Sequence, residues 1–174
     1  FFSGVPGLQF ASPSALRALA EGWPQGGIWW HAAHDPASLC GIELPALKRI
    51  LHIAAECLGH AVPCIMGGNT YPILDDILST GTNYLVCNVE TNQAAFVASV
   101  WRTHPHVKIR VNLDPGVVAC SEPKRIYRGV DRALEIIGDR TNCVMGTGAL
   151  PLETPPENVR LIREYVAHST PCAA

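Results

Sequence analysis

The chain is short of charge. Asp, Glu, Lys and Arg supply 16% of its 174 residues, against about 25% in an ordinary soluble domain. The formal net charge is −2, which argues against a nucleic-acid or anionic-membrane binder that works through bulk charge. Long apolar runs are missing too. None reaches the roughly 18 residues of a membrane span, and the start lacks the charged-then-apolar layout of a signal peptide. Aromatic residues make up only 7%. No Ser sits in a nucleophile elbow and no two His lie four apart on a helix, so no catalytic triad or helical zinc motif is written here.

The seven cysteines fall at 40, 57, 64, 87, 120, 143 and 172. No pair has the two-residue gap of a zinc knuckle or a redox pair, and the number is odd. Several lie in apolar runs, such as Val-Pro-Cys64-Ile-Met and Tyr-Leu-Val-Cys87-Asn. The expectation is buried free thiols in a reducing, cytoplasmic compartment. The alternative is that Cys64, Cys87 and Cys143 converge on a metal, although strand cysteines need not share a face.

What is present is apolar material in a regular rhythm, with 48% hydrophobic residues overall. From residue 44 onward helical and extended patterns alternate. Leu47, Ile50, Leu51, Ala54 and Leu58 have helical spacing within 44–58,. Ala61 to Met66 reads as a strand closed by Gly67 and Gly68. Tyr71 to Leu78 reads as a helix with Asp75 and Asp76 on its solvated side and Gly81 as its stop signal. Asn83–Asn88 is strand-like and 92–101 helical, with Thr91 able to cap that helix. Val107–Asn112 alternates strictly, and 123–137 is helical. Asn142–Gly146 is the next strand. The last helix covers 155–167, with Thr154 and Glu157 arranged as a capping box. Successive β-α units of this kind predict an α/β fold with a parallel sheet and helical crossovers.

Residues 1–43 fit less well. Ser12 could cap a helix through Trp23, but Gly22, Pro24, Gly26 and Gly27 break the pattern. Ile28 to His31 is either a strand or an apolar loop, and 171–174 is a tail.

In a parallel sheet the strand ends lie on one rim, where sites are built. In 107–112 the apolar set Val107, Ile109 and Val111 would face the helices. Lys108, Arg110 and Asn112 would then face inward, which implies either a ligand cavity near Arg110 and Asn112 or a solvated edge strand. Asp114, before Pro115, has either a turn role or a site role. Glu90, just after Asn88, is either exposed or aimed into the site. Gly67-Gly68-Asn69-Thr70 offers backbone amides to an anion. Gly146-Thr147-Gly148 is a similar loop whose plainest role is a tight strand exit. His104 and His106 flank Pro105 on the rim opposite the expected site and read as surface residues. His52, His60 and His168 suggest no site.

Three stretches carry a family resemblance. CIMGGNTYPILDD, Cys64 to Asp76, is similar to the segment of uroporphyrinogen decarboxylase-like proteins that reads roughly LHxCGNTxPILDD. Asn112-Leu-Asp-Pro with Glu122-Pro-Lys-Arg resembles the family's NLDP…GTPEEV region. GTGALPLETPPENV, Gly146 to Val159, resembles its closing GCxxPPxTPPENV. The resemblance covers about residues 44–168 and implies a TIM-like (β/α)8 barrel with its site at the C-terminal mouth.

The superfamily implies two chemistries. Uroporphyrinogen decarboxylases remove acetate carboxyls from a tetrapyrrole without a cofactor. The methylcobamide:coenzyme M methyltransferases use zinc to activate a thiol. Here the zinc-ligand positions fall at Ile65, Gly67 and near Gly148, so no metal and no cofactor is expected, and Thr147 replaces a decarboxylase His. A (β/α)8 barrel needs about 250 residues, and position 1 is Phe. The expectation is therefore the C-terminal half of such a barrel over 44–170.

That half would bind a small-molecule substrate, anionic, tetrapyrrole-related or corrinoid-linked, through Gly67, Gly68, Asn69, Thr70, Asn88, Arg110, Asn112, Gly146, Thr147 and Gly148. Asp114 and Glu90 are the candidate catalytic carboxyls. No nucleic-acid or membrane partner is expected. The open edges of a half-barrel call for a homodimer or for pairing with a missing N-terminal half. The alternatives are a corrinoid-dependent methyltransferase without the usual zinc ligands and a non-catalytic half-barrel module.

Overall fold

The computed structural model describes residues 28–31, 43–120 and 122–169. The helix expected from Ser12, Cys40, Cys172 and the tail lie outside the described residues. Among the described residues there are five strands: β1 (Ile28–His31), β2 (Cys64–Gly67), β3 (Tyr84–Cys87), β4 (Lys108–Leu113) and β5 (Cys143–Thr147). Between and after them run α1 (Leu44–Leu58), a 3₁₀ turn (Tyr71–Ile73) leading into α2 (Leu74–Leu78), α3 (Gln93–Thr103), the short α4 (Pro115–Ala119), α5 (Pro123–Ile137) and α6 (Pro156–Ser169).

All the pairings are parallel. β1 pairs with β2, Ile28 against Cys64 through His31 against Gly67, so Ile28–His31 is a strand and not a loop. β4 lies between β3 and β5, with Val86 opposite Arg110 and Arg110 opposite Val144. Side chains join the two sheets. At one end the Thr82 hydroxyl accepts from the Cys64 amide at 2.9 Å, and at the other the Asn88 amide donates to the Met66 carbonyl at 2.7 Å. Spatial order therefore follows chain order, with helices in the crossovers. This is the winding of a TIM-like barrel.

Strand alternation decides what each face does. Cys64 and Met66 on β2, Leu85 and Cys87 on β3, and Ile109, Val111 and Leu113 on β4 point to the helices. There they pack with Leu47, Leu51, Ile77, Phe96, Val97, Val100 and Val130. Phe96 and Ile109 are 1% and 0% exposed, and full burial of such a side chain stabilises by about 1.5–3 kcal/mol. Helix α1 shows how the sequence sets its own limits. Its buried face is Leu44, Leu47 and Leu51, and it ends at Gly59, whose φ of 73° lies in the left-handed region. A side chain is strained there, and the Gly59 amide closes the last turn on the Ala55 carbonyl,.

Several local expectations are corrected. Tyr71–Leu78 is a 3₁₀ turn followed by one short helix, Leu74–Leu78. Asn92, not Thr91, caps α3, accepting from the Ala95 amide. The capping box at Thr154 does not form. Its hydroxyl is buried without a partner, α6 starts at Pro156, and Glu157 pairs with Arg160. The unforeseen α4 is started by Asp114, whose Oδ1 accepts from the Gly116 amide. Helix α5 runs over 123–137 as its periodicity predicts. α6 packs on α5 through the Tyr127 and Tyr165 rings, 4.4 Å apart, and on α4 through Asn158, which donates to the Val118 and Cys120 carbonyls. Among the described residues no helix is long and apolar enough to cross a membrane.

Candidate functional site

The face of the sheet turned away from the helices carries Val86 and Asn88, Lys108, Arg110 and Asn112, and Val144 and Gly146, as the registers require. Its polar members form one chain of hydrogen bonds. Arg110 Nε donates to Asn112 Oδ1 at 3.0 Å. Asn112 Nδ2 donates to Asn88 Oδ1 at 3.1 Å. Asn88 Nδ2 in turn donates to the Met66 carbonyl, with a longer contact to that of Gly68. Asn112 is buried at 4% exposure, where an unpaired amide would cost roughly 1–3 kcal/mol, so the chain of bonds fixes its orientation and, through it, the guanidinium. β4 is a central strand with strands on both sides, so it is not an edge strand.

Gly146 is the reason the arginine fits. A Cβ there would stand 2.5 Å from Arg110 Cδ and 2.8 Å from Cγ, well inside contact distance. The stem of Arg110 therefore lies across the β5 backbone, at a position where any side chain would force the stem or the backbone to move. Gly148 is close by, its α-carbon hydrogen facing Pro115 and the Asn112 amide.

Among the described residues the Arg110 fork has no acidic partner. Among the described residues the ion pairs are His52–Glu56 and Glu157–Arg160, both on exposed helix surfaces. With Nε committed to Asn112, the two terminal nitrogens of Arg110 are left for a bidentate acceptor such as a carboxylate.

The loop after β2 commits one of the amides expected to cradle an anion, that of Thr70. The Thr70 amide donates to Thr91 Oγ1 at 3.2 Å and the Tyr71 amide to Asn69 Oδ1 at 3.3 Å, so these two donors are already committed. Thr91 Oγ1 also lies 3.4 Å from the Gly68 carbonyl. The loop's role is to clamp the β2 rim to the β3 rim. Thr70 itself is buried, with its hydroxyl unpartnered.

Glu90 is exposed in the turn after β3, and Asp114 is exposed while capping α4. Asp114 also lines a cavity of about 100 Å³ beside Val89, Gln93, Val117 and Arg132, on the helix side of the rim. Thr147 pairs in register with Leu113 and so sits on the helix-facing side. Gln93 was not singled out by the sequence. It is buried, and its amide donates to the Cys87 and Asn112 carbonyls, tying the ends of β3 and β4 together from behind. The only signal for it was a polar residue in the first turn of an apolar helix. His104 and His106, rings 6.0 Å apart, lie between α3 and β4 on the opposite rim.

Of the described thiols two belong to the core; against the expectation of burial, Cys57 is exposed on α1, and Cys120 and Cys143 are only partly buried. Cys64 and Cys87 are buried against the helices, and desolvation pushes both up to about 12. Burial also raises Cys143. Such thiols stay protonated at neutral pH and make poor nucleophiles and ligands. Ile65, Gly67 and Gly148 offer no ligating atoms, and no group of three or more metal-binding side chains occurs among the described residues. The residues present do not fit the zinc site of the methyltransferases.

The family model described as uroporphyrinogen decarboxylase (URO-D) matches residues 29–169. The chain belongs to the uroporphyrinogen decarboxylase family. The match takes in β1 and α1 as well as the three motif stretches. It thus starts upstream of residue 44, where the motifs alone begin the resemblance, and β1 is the physical reason: its backbone completes the edge of β2. No curated protein matches the chain. The Arg110–Asn112–Asn88 network runs from the middle of β4 to the C-terminal ends of β4 and β3, and barrels of this type build their sites at such ends.

Proposed function

We propose that this uroporphyrinogen decarboxylase-like domain holds a carboxylate of a tetrapyrrole acid on Arg110, and that its chemistry is loss of a carboxyl as CO2. The observation that carries the proposal is the state of Arg110. It stands on the inner face, its Nε is fixed by Asn112, its stem is seated on Gly146, and its remaining donors face no acid among the described residues. A cation that is held in place and left unpaired suits a ligand carboxylate better than it suits fold stability.

Breaking the bond to the carboxyl carbon leaves an electron pair on the substrate carbon, which must then take up a proton. Glu90 lies two residues beyond Asn88 and Asp114 two beyond Asn112. They are the carboxyls placed nearest in sequence to the inner-face network; with Asp114 engaged as the cap of α4, the proposal assigns proton delivery at the rim to Glu90. The methyl-transfer alternative gains nothing from the strand thiols Cys64, Cys87 and Cys143, which face the helices.

Titration of the 174-residue protein with uroporphyrin, followed by fluorescence, tests the carboxylate role. Arg110→Gln is expected to weaken binding about tenfold or more with the fold intact. Unchanged affinity in that variant would overturn the assignment. Incubation with uroporphyrinogen, with the carboxyl number of the product counted, tests the chemistry separately. A folded protein that binds and leaves the carboxyl number unchanged would point to the non-catalytic module.

A further inference from the structure

We infer that Lys108 forms a second carboxylate subsite below Arg110, so that the site selects ligands with two carboxylates in line with the barrel axis. The inference rests on the reading of Arg110 given above. Lys108 and Arg110 are two apart on β4, and Lys108 is opposite Tyr84 as Arg110 is opposite Val86. Two residues along a parallel strand advance about 6.6 Å and return to the same face. The two cations are therefore stacked along one line of the inner face, with Asn112 completing a ladder of donors.

Charge makes the ladder specific. Lys108 is exposed, and among the described residues neither cation is in an ion pair. The described inner-face positions of β2 to β5 are Ile65, Gly67, Tyr84, Val86, Asn88, Lys108, Arg110, Asn112, Val144 and Gly146, and none is an acid. Glu90 and Asp114 are both beyond the strand ends. Two positive charges with no acid beside them among the described residues repel each other and attract a dianion whose charges have matching spacing,. Apolar Val86 and Val144 flank the upper cation, which suits a ligand whose acids are joined by carbon.

The test compares hexanoate with adipate and pimelate, whose two carboxylates are separated by about the spacing of the ladder, in calorimetric titrations at low salt. The dicarboxylates are expected to bind about fivefold tighter than hexanoate. Lys108→Met should remove that advantage while leaving hexanoate affinity unchanged. Arg110→Gln should weaken all three. Equal affinities for mono- and dicarboxylates, or a dicarboxylate advantage that survives Lys108→Met, would overturn the second subsite and leave Arg110 standing. Failure of every carboxylate to bind would overturn both.

Discussion

Strand β4 presents two regions that differ in almost every property while sharing one backbone. Toward the helices it turns Ile109 and Val111, both 0% exposed, and Leu113. Away from them it turns Lys108, Arg110 and Asn112. The first set is held by apolar contact, which is non-directional and tolerant of shape-conserving change. The second is held by single hydrogen bonds with one allowed geometry, from Arg110 through Asn112 to Asn88. One strand thus encodes stability and recognition at alternating positions, and the two should separate under mutation.

The largest separation is expected between neighbours in sequence. Ile109→Ala removes a fully buried side chain from the core and should cost about 2–5 kcal/mol in denaturant unfolding. The folded fraction should keep its carboxylate affinity. Arg110→Gln should do the reverse, staying within about 1 kcal/mol of the parent stability, as expected for one exchanged hydrogen bond, while losing the carboxylate. If Ile109→Ala lost affinity in proportion to Arg110→Gln, the two faces would not be independent.

A sharper cut across the inner face comes from Gly146→Ala. The new methyl carbon would collide with the Arg110 stem, so either the guanidinium or the β5 backbone must move. Affinity for a carboxylate should fall several-fold, with a stability cost of about 1–3 kcal/mol for the overpacked site. The cost should nearly vanish in an Arg110→Ala background, because the clash needs both partners. A double-mutant cycle checks this, and simple additivity would place the conflict elsewhere.

The helix-facing side also carries a pH signature. Burial raises the Cys64 and Cys87 thiols to about 12, above the roughly 8.5 of an unfolded thiol. A group whose folded value is raised contributes stability that is intact below the unfolded value and is lost as pH climbs toward the folded one. Stability should hold at neutral pH and decline between about pH 8.5 and 12. Cys64→Ala should be less stable at neutral pH and show a shallower alkaline slope. Equal slopes in the two proteins would refute a protonated, buried Cys64.

The helix-facing half of the design was the legible half. Apolar spacing gave α5 its full extent, and strict alternation in 107–112 told which side of β4 meets the helices, because burial acts on every residue of an element at once. The inner face was legible only in outline. Arg110, Asn112 and Asn88 could be named from their positions at the strand ends, but nothing in the sequence shows that they bond to one another, since the contacts between Asn88 and Asn112 and between Arg110 and Gly146 span strands. Gln93 went unseen for the same reason: its partners, the Cys87 and Asn112 carbonyls, come from two different strands. Thr91 illustrates the limit. Its sequence neighbourhood suits a cap, yet its hydroxyl is engaged by Thr70 of the preceding loop, and Asn92 takes the cap.

Helix starts offer the smallest and cleanest test of that lesson. Thr154 and Glu157 have capping-box spacing, and Asn92 has no such companion. A sequence argument would rank Thr154 as the more important cap. The structure reverses the order: Asn92 Oδ1 accepts from the Ala95 amide at 3.2 Å, whereas Thr154 Oγ1 is buried without a partner. Asn92→Ala should therefore cost about 1 kcal/mol. Thr154→Val keeps the shape and removes an unsatisfied hydroxyl, so it should be neutral or stabilising by up to about 1 kcal/mol. Thermal unfolding of the two single variants decides it. A loss at Thr154→Val equal to that at Asn92→Ala would mean that the capping box forms after all, and that the start of α6 is set by its sequence alone.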